Sequence, residues 1–132
     1  MQFWTTGICI RYGKSTFDIF SWRYHSNITF IIGPIFENHK LFPEKTNVHF
    51  SQIINRDNIN VLVWERGAGA TLACGTGACA VHVAAYKLGL SNSKTTIDLP
   101  GGNLIINWSR SEEEILMTGN ANKVFSGTYI LK

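Results

Sequence analysis

The sequence predicts an α+β fold, in which a twisted, largely antiparallel β-structure wraps around one central helix. Three observations support this prediction. A glycine-rich turn runs into an apolar helical pattern within residues 64–90, and hairpin patterns flank it at residues 47–64 and 95–108. In addition, the chain of 132 residues is 45% hydrophobic and 16% charged, which indicates one ordered domain with its own core.

The predicted central helix runs from Thr76 to Leu88 and ends at Gly89. Alanine, valine, cysteine and leucine cover nearly all of its faces, so we expect the helix to be buried. About a dozen apolar residues are too few to cross a membrane, and we expect no membrane association.

Cys74 lies in the glycine-rich turn just before this helix. Unpaired backbone N–H groups and the positive end of the helix dipole meet at a helix start and can hold an anion there. The same environment lowers the pKa of a thiol, which makes Cys74 a candidate nucleophile, acid or base. The alternative is a buried structural thiol. A carboxylate is favoured over a phosphate, because the chain has no phosphate-binding glycine motif.

The chain before this turn is harder to interpret. Residues 1–32 carry no motif, and only Phe17–Trp22 and Ile28–Ile32 resemble short strands. Residues 35–42 predict one or two short helical turns that stop at Pro43.

A clearer alternation begins at Asn47, with Val48 pointing one way and His49 the other. Residues 47–64 therefore predict a hairpin that leads directly into the glycine-rich turn. Because Asn47 starts that hairpin, we expect it near the same pocket.

Four further strands are predicted after the helix. They are Thr95–Leu99 and Leu104–Trp108, joined by a Pro-Gly-Gly turn, and then Ile115–Thr118 and Val124–Ile130. The acidic loop Glu112–Glu114 is expected to be solvated.

Composition excludes several classes of function. The formal charge is +3 and the basic residues are scattered, so we expect no nucleic-acid partner. The first residues lack a basic leader and a long apolar run, and we expect no signal peptide. Three cysteines form no even framework, which favours the reducing cytoplasm.

A metal site is not predicted, although Cys74, Cys79 and His82 are close in sequence. Cys79 and His82 share a helix face, but Cys74 precedes the helix, and a second pair of ligands is lacking. We expect Cys79 to be a core residue and Cys9 to be inert.

Glu65 and Arg66 stand between the predicted hairpin and the glycine turn. They are either a surface ion pair of little energetic value or part of the pocket. In a pocket, they offer a carboxylate for an ammonium group and a guanidinium for a carboxylate. Together with the helix start, they would suit a zwitterionic amino acid.

The motif ERGAGATLACGTGACA resembles the signature of the C-terminal half of diaminopimelate epimerase, an amino-acid epimerase of lysine and peptidoglycan synthesis. GPIFENHKLFPEKTNV before it, and LPGGNLIINW and LMTGNANKVFSG after it, resemble the family in order and spacing. The resemblance covers residues 33–132 and leaves residues 1–32 unassigned.

The resemblance implies a cofactor-independent reaction that interconverts LL- and meso-diaminopimelate. One cysteine from each half of such an enzyme flanks the α-carbon of the substrate, and Cys74 would be the C-terminal member. It also implies that Gly75 and Thr76 donate N–H groups to the α-carboxylate. Asn47, Glu65 and Arg66 would bind the distal amino-carboxylate end. No cofactor and no metal are implied.

The chain also departs from the family pattern. The N-terminal half with its own cysteine, and a Gly-Asn-Pro-His segment expected before residue 33, are not found in the sequence. We therefore expect an incomplete half, inactive alone, with apolar surface exposed on the Cys74 side. A separate N-terminal half or a homodimer would supply the second cysteine. The alternative is a non-catalytic remnant or a module that binds an amino-acid carboxylate.

Overall fold

The fold was obtained as a computed structural model, which describes residues 6–12, 14–21, 27–108, 111 and 114–131, with side chains from residue 16 onward. Along the chain, the elements are β1 (Thr6–Tyr12), β2 (Lys14–Ser21), α1 (Ile28–Glu37), β3 (Asn47–Asn55), β4 (Asn58–Glu65), β5 (Gly69–Thr71), α2 (Gly75–Lys87), β6 (Lys94–Leu99), β7 (Gly102–Asn107) and β8 (Leu116–Gly119).

The described strands form one mixed sheet in the order β1-β2-β3-β4-β6-β7-β8, and β5 pairs with β4. Most neighbours are antiparallel, as predicted, but β2 is parallel to β3 and β4 is parallel to β6. A parallel pair needs a crossover connection, and each of these two connections carries a helix. The sheet therefore has two helices rather than the single central helix that the sequence predicted.

The two helices lie on opposite faces of the sheet. The α1 face buries Ile19, Val48 and Phe50, with Ile32 and Phe36 of the helix packed against them. The core on the α2 face consists of helix residues and strand residues together: Phe20, Ile53, Ile59, Val61, Val63, Ala78, Cys79, Val81, Ala84, Ala85, Ile97, Leu99 and Ile106. Both faces of β3 are consequently covered, and residues 47–51 are all buried.

The buried helix and both hairpins are confirmed. α2 runs from Gly75 to Lys87, one residue before the predicted bounds at each end, and most of its residues are buried. The backbone turns out of the helix at Gly89, where φ is +73°. β3 and β4 form the first predicted hairpin, and β6 and β7 form the second.

The prediction of a strand at Ile28–Ile32 is wrong, because this segment is the first half of α1. Ile28, Ile32 and Phe36 recur every four residues and pack against the sheet, which is the spacing of a helix face. A window of five residues is too short to separate this period from alternation. The helical turns predicted at residues 35–42 are the last turn of α1, which ends at Glu37.

The final strand predicted at Val124–Ile130 is also wrong. Residues 120–131 have neither helix nor strand, and all of them are exposed. The segment has the composition of a strand, but it pairs with no edge of the sheet, and composition alone does not form a strand. The strand predicted at Ile115–Thr118 is present one residue later, as β8.

Part of the unassigned N-terminal segment belongs to the same sheet, since β2 pairs with both β1 and β3. Phe17–Ser21 is a strand as predicted, and Trp22 lies outside the described residues. The side chain of Cys9 and residues 112 and 113 of the acidic loop also lie outside them, whereas Glu114 is exposed. Of the helices in the described ranges, neither has the length and apolar character needed to cross a membrane.

Candidate active site

Cys74 occupies the N-cap position of α2, with extended backbone angles of φ −146° and ψ 107°. Its carbonyl accepts the first helical hydrogen bond, from Ala78 N over 2.9 Å. Its side chain is half-buried and lies 3.6 Å from Oγ1 of Thr76. The structure therefore places the thiol at the helix start, as the sequence predicted.

Glycine permits the tight turn that leads to this position. Gly67 and Gly69 have φ angles of +78° and +80°, which lie in the left-handed region that side chains disfavour. Gly75 and Thr76 are the first residues of α2. The N–H groups of a first helical turn have no acceptor within the helix, so this turn can bind an anion beside the thiol.

Several groups act on the pKa of the Cys74 thiol, and their net effect lowers it below the ordinary value. The main cause is hydrogen bonding with His49, which burial of the thiol partly opposes. Thr76 and the N–H of Gly77 lower the pKa further, while the negative charge of Glu65 raises it. The thiolate is therefore more accessible near neutral pH than in an ordinary cysteine.

His49 and Asp18 are site residues that sequence reasoning missed. A hydrogen bond of 2.6 Å joins Nδ1 of His49 to Oδ1 of Asp18, and neither side chain is exposed to solvent. The two residues are register partners on β2 and β3, so their side chains share the face that α2 covers. His49 was missed because a polar residue on an alternating strand is expected to face solvent. Asp18 was missed because it lies in the segment that carried no motif.

The structure brings Asn47 and Arg66 together through a hydrogen bond to the backbone of Arg66. Oδ1 of Asn47 accepts a hydrogen bond of 2.9 Å from the N–H of Arg66, and Asn47 is only 8% exposed. The guanidinium of Arg66 donates to the carbonyl of Glu44 over 2.5 Å. Asn47 therefore fixes where the chain leaves β4 and enters the glycine turn.

Glu65 is half-buried at the end of β4 and accepts a hydrogen bond of 2.6 Å from Oγ1 of Thr71. Within the described residues, the ion pairs join Lys45 to Glu37 and His49 to Asp18, so Glu65 and Arg66 do not pair with each other. The surface ion-pair alternative is therefore not what the structure contains.

Glu37 is a further residue that the sequence did not single out. Its carboxylate accepts hydrogen bonds from Trp64 Nε1 at 2.7 Å and from the N–H of Gly67 at 3.1 Å. Lys45 lies 3.5 Å from the same carboxylate, which is largely buried. Glu37 thus ties the end of α1 to the glycine turn, and only the folded chain brings these residues together.

The remaining candidates for metal ligands are helix residues. Cys79 is buried in α2, as predicted, and His82 is buried there too. Burial raises the pKa of Cys79 and lowers that of His82. In the part of the chain that the structure describes, no group of three or more His, Cys, Asp or Glu side chains is arranged to hold a metal ion.

The surface around the thiol contains both a cleft and apolar side chains. Ala73, the neighbour of Cys74 in the chain, lines a cleft of about 410 Å³ together with Gly101, Gly102, Asn103 and Asn120. Leu72 and Met117 are 70% and 51% exposed. Met117 also approaches Gly75, where an added Cβ would lie 3.2 Å from its sulfur. Apolar surface is thus exposed on the Cys74 side.

The fold belongs to a class already known from solved structures. A phenazine biosynthesis protein of the PhzF family from Enterococcus faecalis matches with a TM-score of 0.57 at 8% identity, over 74% of this chain and 35% of that chain. A putative PhzC/PhzF protein from Clostridium difficile matches with a TM-score of 0.53 at 14% identity, over 72% and 34%. The structures therefore define an α+β protein with the fold of that class.

Residues 23–124 match the family model of diaminopimelate epimerase, and the chain belongs to that family. Diaminopimelate epimerase 1 of Nostoc sp. is 56% identical over 97 residues, which is 74% of this chain and 35% of the relative. The chloroplastic diaminopimelate epimerase of Oryza sativa subsp. japonica is 52% identical over 99 residues, or 75% and 28%. This chain thus spans about a third of the length of these relatives. The match begins ahead of residue 33, and the division of the chain at that point stays a prediction.

Proposed function

We propose that this chain carries one of the two catalytic cysteines of a diaminopimelate epimerase, which interconverts the LL and meso forms of 2,6-diaminopimelate for lysine and peptidoglycan synthesis. The observation that carries the proposal is Cys74 at the N-cap of buried helix α2, with its pKa lowered. A thiolate in that position can remove a proton from a bound α-carbon, and the thiol form can return one.

The substrate contacts are part of this proposal. The N–H groups of Gly75 and Thr76 bind the α-carboxylate beside the thiol, because they begin α2 and lack helical acceptors. Asn47, Glu65 and Arg66 bind the distal amino-carboxylate end. Two observations support these assignments. The charge of Glu65 acts on the Cys74 thiol, and Asn47 accepts a hydrogen bond from the N–H of Arg66, the residue after Glu65.

The second cysteine comes from a partner, the N-terminal part of an epimerase. Inversion needs an acid and a base on opposite faces of one carbon. Cys79 follows Cys74 by about one and a half helical turns and is buried, so it does not reach the opposite face. The exposed apolar side chains of Leu72 and Met117 would suit docking of the partner.

The reaction uses no pyridoxal phosphate and no metal, since the two thiols do all the proton transfer. It takes place in the cytoplasm, where a reducing environment keeps an unpaired catalytic cysteine as a thiol. The cleft and the helix start are the parts of this chain that the amino-acid substrate would meet.

The proposal is tested by exchange of the α-proton of diaminopimelate in deuterated water. The purified chain is measured alone and then mixed with a separately expressed N-terminal part of the Nostoc epimerase. We expect no exchange above background for the chain alone and exchange with inversion for the mixture.

Two variants control this experiment. Cys74→Ala should reduce exchange by the mixture by at least about a thousandfold, because it removes one of the two proton carriers. Cys79→Ala should retain most of it. Inversion by the lone chain, if abolished by Cys74→Ala, would contradict the need for an N-terminal part and would point to a second copy of this chain as the source of the second cysteine. Binding of diaminopimelate without exchange in any mixture would instead favour a carboxylate-binding module.

A further inference from the structure

The buried pair of His49 and Asp18 lies directly behind the thiol. Nδ1 of His49 is occupied by Oδ1 of Asp18 at 2.6 Å, which fixes the orientation of the ring. Both side chains have no solvent exposure, and their strands are held in register by the sheet. The ring can therefore offer only its other nitrogen, Nε2, to a third group.

Nε2 faces the start of α2 at the point where Gly77 leaves room for it. A Cβ atom added to Gly77 would overlap Nε2 of His49 and would lie 3.1 Å from Sγ of Cys74. The imidazole nitrogen and the thiol sulfur thus border the same small space. Among the described residues, Nε2 has no hydrogen bond of normal length and angle, although it is buried.

A buried ring nitrogen is costly unless a neighbouring group such as the Cys74 thiol shares a proton with it, and a buried histidine paired with aspartate is suited to exchange a proton. We propose that Asp18 and His49 form a positioning pair that accepts the thiol proton of Cys74 and keeps the sulfur as a thiolate, ready to act as a base. The pair acts through Cys74, because a fully buried imidazole touches no substrate.

The charge distribution supports this arrangement. Burial alone would lower the pKa of His49, but hydrogen bonds and charge attraction from Asp18 and Cys74 outweigh it and raise that pKa to about 9. Burial raises the pKa of Asp18 despite the opposing effect of His49, so the two groups titrate as one unit. The other ionisable groups that act on the thiol are Glu65 at the end of β4 and Cys79 on α2.

The proton balance is simple. The S–H bond of Cys74 breaks, its proton moves to Nε2 of His49, and the electron pair stays on sulfur. In the epimerase reaction, on which this role depends, the thiolate then takes the α-proton and the electron pair of that C–H bond stays on the α-carbon. The positioning pair itself forms no bond to substrate.

The test is the pH profile of alkylation of Cys74 by iodoacetamide, followed by mass spectrometry of the peptide that contains Cys74. Cys74 and Cys79 share the tryptic peptide of residues 67–87, so fragment ions of that peptide assign the alkylated thiol. The readout needs neither substrate nor partner. Its outcome is therefore independent of whether the chain takes part in epimerisation. In the unaltered chain, the inflection should lie below the ordinary thiol value of about 8.5.

Two substitutions remove the positioning pair in different ways. His49→Asn should move the inflection upward and slow alkylation at pH 7 by about tenfold, the size of a change of one pH unit in the thiol. Asp18→Asn should move it in the same direction by a smaller amount. The matched control is His39→Asn, because His39 lies between α1 and β3, away from the thiol, and should leave the profile unchanged.

Folding of each variant is verified by circular dichroism. An unaltered inflection in either folded variant would overturn the proposal. If neither variant folds, the profile of the unaltered chain tests the proposal. An inflection at or above the ordinary thiol value would then overturn the proposal.

Discussion

At Gly77, the backbone of α2 approaches the imidazole of His49 more closely than a side chain on residue 77 would permit. The contact lets Nε2 and the sulfur of Cys74 share one space at the helix start. Glycine in a helix costs about 1 kcal/mol relative to alanine, so its presence in the first turn of α2 has a steric reason. A single methyl group added at this position should therefore disturb both the His49 ring and the thiol.

We expect Gly77→Ala to displace the His49 ring and to raise the pKa of the Cys74 thiol toward its ordinary value. Overpacking should also lower the free energy of unfolding by about 1–3 kcal/mol, despite the better helix propensity of alanine. The two effects are measured by the pH profile of Cys74 alkylation and by urea unfolding.

The matched control is Gly127→Ala, where the added Cβ would meet only ring carbons of Phe125, the nearest at 3.6 Å. This substitution should change neither the profile nor the free energy of unfolding. A folded Gly77→Ala variant with the profile of the unaltered chain would show that the close approach has no effect on the thiol.

Between elements, the carboxylate of Glu37 connects α1 to the turn after β4. The hydrogen bond from Trp64 is the main cause that lowers the pKa of Glu37, burial opposes it, and Gly67 and Lys45 add to it. The turn that carries Arg66 is therefore held by α1, which lies on the face of the sheet opposite α2.

We predict that Glu37→Gln lowers the free energy of unfolding by about 1–3 kcal/mol at pH 7, because buried hydrogen bonds to a charged acceptor are lost. Since the pKa of Glu37 is lower in the folded chain, its contribution is present above the ordinary value of 4.5 and is lost as pH falls through the folded value. Urea unfolding at pH 7 and at pH 3.5 measures the difference, which should shrink at the lower pH.

Glu44→Gln is the control for this prediction, because the Glu44 side chain is exposed and only its backbone carbonyl contacts Arg66. It should leave the unfolding free energy within about 0.5 kcal/mol. A Glu37→Gln variant as stable as the control at pH 7 would contradict the role of the carboxylate.

His82 makes the stability of α2 depend on pH. The residue is completely buried, and burial lowers its pKa, with the carbonyls of Trp108 and Ser93 only partly opposing the shift. The unfolded chain therefore binds a proton more readily than the folded chain. Stability should fall as pH drops below the ordinary value of 6.5, by up to about 1.4 kcal/mol for each pH unit.

The measurement is urea unfolding of the unaltered chain and of His82→Gln at pH 5 and pH 8. The variant should lose stability at pH 8, where it removes a packed ring stacked on Tyr86, but it should lose less on acidification. His39→Gln serves as a comparison and should retain the full pH dependence. Equal pH dependence in His82→Gln and the unaltered chain would assign the effect to other groups.

At the scale of the whole molecule, the sheet and its two helices enclose the core, while the last described segment stays outside. Five apolar residues in this segment are more than four-fifths exposed: Val124, Phe125, Tyr129, Ile130 and Leu131. Such a cluster of exposed apolar side chains favours association with another surface.

We expect a chain that stops at Lys123 to unfold with a free energy within about 0.5 kcal/mol of the full chain, because the removed side chains are not packed in the core. Its binding of a hydrophobic dye should fall clearly. Phe125→Ser combined with Ile130→Ser in the full chain should reduce dye binding in the same way without a deletion. A loss of more than about 1 kcal/mol on truncation would mean that the segment packs on the sheet.

Several features of this protein depend on local patterns and could be predicted from the amino-acid sequence. The α2 helix was predictable because apolar residues cover all its faces, and Cys74 was placed at its start because glycines surround it. The hairpins were predictable from alternation and turn residues. The family resemblance likewise rested on contiguous motifs, which the family match over residues 23–124 supports.

Other features depend on contacts between distant residues, and these became visible only in the folded chain. The strand predicted at Val124–Ile130 failed because a strand needs a partner edge, and the strand predicted at Ile28–Ile32 became helix because α1 covers the second face of the sheet. His49 and Asp18 are 31 residues apart and meet only when β2 and β3 pair in parallel. No local pattern encodes that pairing, because its stability comes from burial and register in the folded sheet.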